Sequence, residues 1–350
     1  MNICCVGVEI TGNTVPKASI KRYVITGGSG YIGSHTARAL RLHDPDCSIW
    51  IIDRQLRPHT LKGVDLHTES CFADAMTLEC IVDYQPTAVI HCAADHVVPH
   101  SVTDPDRFYL NNVVKTHSLL SVLRRIKQPP RVLFSSTAAV YGNNENVPIE
   151  ETEPVAPINA YGNTKVAIEN MLADYNRAYG LDSVCFRYFN AAGAEPNDHD
   201  LGQPWGASHI IARILESYLS QELFTLYGQD YDTPDGTCIR DYVHVWDIAQ
   251  AHILALDYLD RCPGHHVFNL GTAQGISNQE IIQTVVEKYG GFDLMVDNRR
   301  DGDPARLVAS NSRARKLLGW VPRYSDLDTI IESAYEWYHQ NYCENIKESV

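Results

Sequence analysis

An apolar run that breaks at once into glycines limits most strongly what this chain can fold into. Tyr23-Val24-Ile25 is followed by Thr26-Gly27-Gly28-Ser29-Gly30-Tyr31-Ile32-Gly33, which leads into Ser34-His35-Thr36-Ala37-Arg38-Ala39-Leu40. The order reads as strand, tight turn, helix. Gly28, Gly30 and Gly33 fit G-x-G-x-x-G, and Gly27 gives a second register, G-x-x-G-x-x-G. Such a turn brings backbone close to a pyrophosphate and lets the helix sit near its strand. The helix N-terminus adds free N–H groups and a partial positive charge.

A second apolar run, Ile49-Trp50-Ile51-Ile52, ends in Asp53, about 20 residues beyond Gly33. An acidic side chain there accepts hydrogen bonds from the adenosine ribose, which favours NAD over NADP. Arg54 beside it keeps open the alternative of a 2′-phosphate.

Further buried runs follow at 88–94, 131–136 and 183–189, with helical patterning at 104–127 and 159–179. Strand and helix in alternation predict an α/β fold: a Rossmann-type doubly wound parallel sheet covered on both faces. The C-terminal strand ends would gather Gly27–Gly33, Asp53, Ala93–His96, Ser135–Thr137 and Asn190 on one edge. Beyond about residue 190 the pattern loosens, with helices expected near 207–221, 247–260, 278–289, 311–318 and 327–341. The expected division is an extension at 1–20, in which 6–11 could add an edge strand, a Rossmann domain at 21–190 and a smaller mixed substrate domain at 191–345. Part of 239–262 would pack back on the first domain.

A hydrophobic content of 44% and a net charge of −14, with no lysine-rich run, indicate a globular protein and argue against nucleic acid or an anionic membrane as partner. The ten cysteines show no C-x-x-C pair, so neither a metal site nor a disulfide framework is expected, and the thiols fit a reducing cytoplasm. Residues 1–20 lack a signal-peptide pattern, and no stretch is apolar enough to span a bilayer.

Tyr161 and Lys165 stand at i and i+4 in Tyr161-Gly162-Asn163-Thr164-Lys165, on one helix face. They follow a hydroxyl-bearing strand end, Ser135-Ser136-Thr137. A phenol needs its pKa of about 10 lowered by roughly three units to act as a base at neutral pH. A lysine ammonium at ~6 Å supplies much of that, about 3 kcal/mol at an effective dielectric of 20. The Thr137 hydroxyl can bridge the phenol and a substrate hydroxyl. The set suits proton removal from an alcohol coupled to hydride loss from its carbon.

With these motifs in place, the chain resembles the extended short-chain dehydrogenase/reductase family, and within it the UDP-glucose 4-epimerases, from about residue 21 to 340. The likeness rests on TGGSGYIGSH at 26–35, YLNNV at 109–113, FSSTAAVYG at 134–142, YGNTK at 161–165, RYFNAAGA at 187–194, YGQDYDTPDGTCIRDYVHVWD at 227–247 and RRDGDPA at 299–305. The resemblance implies that UDP-glucose and UDP-galactose are interconverted through transient oxidation at C4 by tightly held NAD. Tyr161 would be the acid–base at O4, tuned by Lys165 and assisted by Thr137. NAD would be held by Gly27, Gly30, Tyr31, Ile32, Gly33, Asp53, Arg54, Ser70, Cys92, Ala93, Ala94, His96, Asn112, Ser135, Tyr161, Lys165 and Phe189. The UDP-sugar would be held by Asn190, His209, Ile210, Tyr227, Arg240, Arg300, Asp303 and Leu307. A homodimer through helices 104–127 and 159–179 is also implied.

Some positions depart from the family pattern. Glu69-Ser70-Cys71 replaces the usual adenine-binding turn, His96 stands where some members carry lysine, and Leu307 stands where some carry a bulky tyrosine that narrows the sugar pocket. Leu307 therefore opens the alternative of an N-acetylhexosamine substrate. UDP-glucuronate and UDP-pentose epimerases are further alternatives. A sugar 4,6-dehydratase is disfavoured because Thr137 is followed by Ala138-Ala139, which cannot transfer protons. A non-catalytic NAD sensor would have no use for the Thr137–Tyr161–Lys165 set.

Overall fold

The structure, a computed structural model, describes residues 20–144, 146–299 and 304–348. Almost all of the expected 1–20 extension, with its edge strand at 6–11, lies outside the described residues. The first half runs β1 (Arg22–Thr26), α1 (Tyr31–His43), β2 (Ser48–Asp53), β3 (Leu66–Glu69), α2 (Ala75–Tyr84), β4 (Ala88–His91), α3 (Val98–Thr103), α4 (Pro105–Phe108), α5 (Lys115–Leu123), β5 (Arg131–Thr137), α6 (Ala160–Tyr179) and β6 (Ser183–Tyr188). The second half adds β7 (Asn190–Ala192), α7 (Ile210–Ser220), β8 (Phe224–Tyr227), β9 (Ile239–Arg240), β10 (Tyr242–His244), α8 (Val245–Arg261), β11 (His265–Leu270), β12 (Ile276–Ser277), α9 (Asn278–Tyr289), β13 (Leu294–Asp297), β14 (Arg306–Leu307), α10 (Ser312–Leu318) and α11 (Leu327–Glu348).

Seven parallel strands form the central sheet in the order β11-β6-β5-β4-β1-β2-β3. Strand alternation buries both faces. Ile25, Ile49 and Ile51 enter one core with α1, α8 and α10, while Val24, Trp50 and Ile52 enter another with α2, α5 and α6. The order reverses at β1, between β4 and β2, and the crevice at that switch point opens above the glycine turn.

Three expectations are corrected. The helix expected at 104–127 begins at Val98 and is broken, with a π-helical segment at Tyr109–Val114 between α4 and α5. The strand expected at 88–94 ends at His91, and the one at 183–189 divides at Phe189 into β6 and β7. β3 and β11 also complete the sheet, so the chain beyond 190 returns one strand and helices α8 and α10 to the first layer system. A separate core of Ile211, Leu215, Phe224, Ile281, Ile331 and Trp337 organises the smaller lobe.

Candidate active site

Local geometry explains the glycine turn. Gly27 has φ +72°, and a Cβ there would lie 2.7 Å from the Ala93 nitrogen. At Gly33 a Cβ would meet the Gly27 carbonyl oxygen at 2.3 Å. The turn thus stays open, with the chain at Cys92–Ala93 lying across it. Gly30 caps α1 in extended conformation, leaving the helix N-terminus facing the crevice. Asp53 ends β2 and accepts from the Ser29 and Gln55 N–H groups at 3.0 and 3.2 Å. This cradle of bare backbone beside an acidic strand end fits a dinucleotide.

Other residues expected at the cofactor converge on the same edge. Tyr31 donates to the Gly193 carbonyl at 2.6 Å, linking α1 to the chain beyond β7. Ile32 packs on the core beneath. Asn112 is fully buried and ties the loop after β4 to α6, through Asp95 N at 2.8 Å and Thr164 Oγ1 at 3.1 Å. Ala94 and His96 flank Asp95 on that loop. The Ser135 hydroxyl meets Cys92 Sγ at 3.3 Å and the Tyr188 hydroxyl at 3.1 Å. Arg54 pairs with Asp95 at 3.6 Å, across the β1 end. Ser70, just after β3, donates to Asp74 at 2.7 Å.

Thr137, Tyr161 and Lys165 come together at the ends of β5 and α6. Asn159 caps α6 by accepting from Gly162 N–H at 2.8 Å, which starts the helix one residue before Tyr161. The Thr137 hydroxyl oxygen accepts from Ala139 N–H at 3.1 Å, and its hydroxyl stands near enough to the Tyr161 phenol to favour the ionised form. Lys165 is fully buried, donates to the Ser135 carbonyl at 2.6 Å and lies 5.7 Å from the Tyr161 ring centre.

The electrostatics correct the sequence argument. Burial pushes the Tyr161 phenol up to about 12, with the Thr137 hydroxyl acting the other way. Burial likewise lowers Lys165 to about 8. Burial therefore keeps the phenol protonated in this site, and Lys165 alone does not deliver a phenolate.

A cavity of about 300 Å³ opens in the smaller lobe, lined among others by Asn190, Gln203, His209, Ile210, Tyr227 and Arg240. It joins β7 to the start of α7, and β8 supplies Phe224–Tyr227. Arg240 donates to the Pro304 carbonyl at 2.7 Å. β14 runs beside it, placing Leu307 opposite Arg240. Leu307 also packs on Ala138, Val140 and Phe189, next to the Thr137 turn. Arg300 and Asp303 lie outside the described residues. Within the dense 227–247 run, two carboxylates staple backbone: Asp241 accepts from Thr272, Ala273 and Ala309 N–H, and Asp247 from Arg323 and Tyr324 N–H. Gln203, Arg213 and the β8 residues Phe224–Leu226 were not anticipated, since the loop, the helix α7 and the short strand that carry them hold no motif there.

Residues 23–271 match the NAD dependent epimerase/dehydratase family. The chain belongs to that family. A UDP-glucose 4-epimerase of Halalkalibacterium halodurans is 40% identical over 322 residues, covering 91% of this chain and 96% of the relative. The crystal structure of UDP-glucose 4-epimerase from Brucella ovis in complex with NAD is 41% identical, with a TM-score of 0.85 over 90% of this chain and 98% of that one. The Bifidobacterium longum enzyme, in complex with NAD+ and UDP, has a TM-score of 0.84 at 31% identity, covering 92% and 99%. At 90% and 92% of this chain, both matches extend over the sheet and into the smaller lobe.

Proposed function

We propose that this protein is an NAD-dependent UDP-glucose 4-epimerase, an isomerase that interconverts UDP-glucose and UDP-galactose. The observation that carries the reading is the convergence of Thr137, Tyr161 and Lys165 beside the glycine cradle. The arrangement is supported by relatives of that name matching nearly the whole chain. Bound NAD supplies the hydride acceptor, and then donor, for C4 of the hexose, and its positive ring favours a phenolate at Tyr161. The glycine turn, Tyr31, Ile32 and Asp53 would hold its adenosine and pyrophosphate side. Cys92–Ala94, His96, Asn112, Ser135, Lys165 and Phe189 would hold the nicotinamide side. Tyr161 removes the O4 proton and later returns it, and Thr137 orients both oxygens. Asn190, His209, Ile210, Tyr227 and Arg240, with Arg300 and Asp303, would anchor UDP while the 4-keto sugar turns to present its other face.

The same reading places the enzyme in galactose metabolism and in the cytoplasm. Cys47, Cys71, Cys80, Cys92, Cys185, Cys238 and Cys262 are free thiols, which suits a reducing compartment. Among the described residues no helix is long and apolar enough to cross a membrane. Exposed Val102, Tyr109, Leu110 and Val114 on the α3–α5 run support pairing with a second copy. Light scattering that gives twice the chain mass supports the dimer, and a monomer at all concentrations rejects it.

Incubating the purified protein with UDP-galactose, with and without added NAD, tests the function. UDP-glucose formation is expected. Absence of product in both conditions rejects the reading and brings a different UDP-sugar or a non-catalytic NAD role forward.

A further inference from the structure

Tyr161, Lys165 and Glu169 lie at i, i+4 and i+8 on one face of α6. Each meets a different group of β5. Tyr161 stands beside the Thr137 hydroxyl, Lys165 donates to the Ser135 carbonyl, and Glu169 accepts from the Ser136 hydroxyl at 2.5 Å. The face that carries the acid–base pair is therefore stitched to its strand by a third residue, which the mechanism above does not use.

Glu169 is buried and its carboxylate is fully committed. Arg187 of β6 grips it at 3.1 and 2.7 Å. Arg187 also donates to the Tyr141 hydroxyl at 2.9 Å, and Tyr141 donates to Asn269 of β11 at 2.7 Å. The network spans α6, β5, β6 and β11, so the carboxylate has no freedom to move. A buried pair of this kind is weak grounds for stability, because desolvation offsets much of its attraction.

Its value lies in what it faces. Lys165 stands one turn from both Tyr161 and Glu169 on α6, and the other titratable groups coupled to its charge are Cys92, His91 and His96 from β4 and its loop, and Cys185 of β6. Burial pushes the Cys92 thiol up to about 11 and raises the Cys185 thiol well above its ordinary value, so both are uncharged at neutral pH. Burial lowers His91 to about 3, and lowers His96 as well. Of these groups, Glu169 is the one that brings negative charge to the buried ammonium.

We propose that Glu169 is a positioning residue for the Tyr161–Lys165 pair, its carboxylate clamped by Arg187 and Ser136 so that the Lys165 ammonium stays charged and aimed behind the phenol. The inference rests on the epimerase reading. Arg187 serves it by holding the Glu169 carboxylate in place through two hydrogen bonds. Loss of the negative charge makes Lys165 easier to deprotonate, so activity fails at lower pH.

The test uses the NAD-loaded enzyme and UDP-galactose, with kcat measured per bound NAD across pH so that unfolded protein drops out. Glu169→Gln leaves Arg187 unpaired, so Glu169→Gln/Arg187→Gln is made beside it, and Glu169→Asp restores the charge. Both Gln variants are expected to move the alkaline limb of kcat down by about one pH unit, with about tenfold lower rate above it. Their KM should stay within about twofold, and Glu169→Asp should keep the wild-type limb. An unmoved limb in the paired variant, or an Asp variant that shifts as far as Gln, overturns the proposal. Inactivity of the wild-type enzyme would instead overturn the reading of its function.

Discussion

The Lys165 ammonium donates to the Ser135 carbonyl at 2.6 Å, locking α6 to β5 two residues before Thr137. That bond fixes where the Tyr161 phenol sits, since both residues ride on one helix face. Lys165→Met should lower kcat by about a hundredfold or more at neutral pH, because both the charge and the anchor are lost. Steady-state kinetics with UDP-galactose check this, and retention of NAD through gel filtration reports the cofactor side.

Tyr161→Phe removes the proton-transfer group and almost nothing else. It should lower kcat by roughly 10²–10⁴-fold while UDP binding, followed by calorimetry, stays unchanged.

Four histidines, His35, His91, His244 and His252, are almost completely buried, and burial lowers them to about 4, 3, 3 and 4. Their folded values lie below the unfolded value of about 6.5, so the stability they contribute is present above that pH and is lost as pH falls through the folded values. Between these limits each costs about 1.4 kcal/mol per pH unit. Urea titrations from pH 7 to 4.5 should show a steep fall in unfolding free energy, and a flat profile would contradict the burial assigned to them.

Leu307 packs against Ala138 and Phe189 where a larger ring would narrow the space beside Thr137. Turnover of UDP-N-acetylglucosamine is therefore expected, and Leu307→Tyr should suppress it while sparing UDP-galactose. No turnover of the N-acetylated sugar at any concentration removes this expectation.

Much of the nucleotide half was legible because its signals are local. Strands β1, β2, β4, β5 and β6 are runs buried on both faces, and the glycine turn and the Tyr161–Lys165 spacing each fit within one or two elements. β3 was not legible, since Leu66-His67-Thr68-Glu69 is largely exposed, and β11 opens on two histidines. The π-helical break at Tyr109–Val114 changes backbone register without changing hydropathy. The Glu169–Arg187 pair joins two elements through space, and nothing in either segment announces the other. The rise of the Tyr161 pKa was missed for a related reason: charge spacing can be read along a helix, whereas desolvation depends on everything packed around it.

The most direct test follows the hydrogen at C4. UDP-galactose carrying deuterium at C4 is converted in ordinary water, and the UDP-glucose formed is analysed by mass spectrometry. The account predicts that the deuterium is retained at C4 of the product, because the hydride removed from one face returns to the other without meeting solvent. Loss of the label to water would contradict the mechanism.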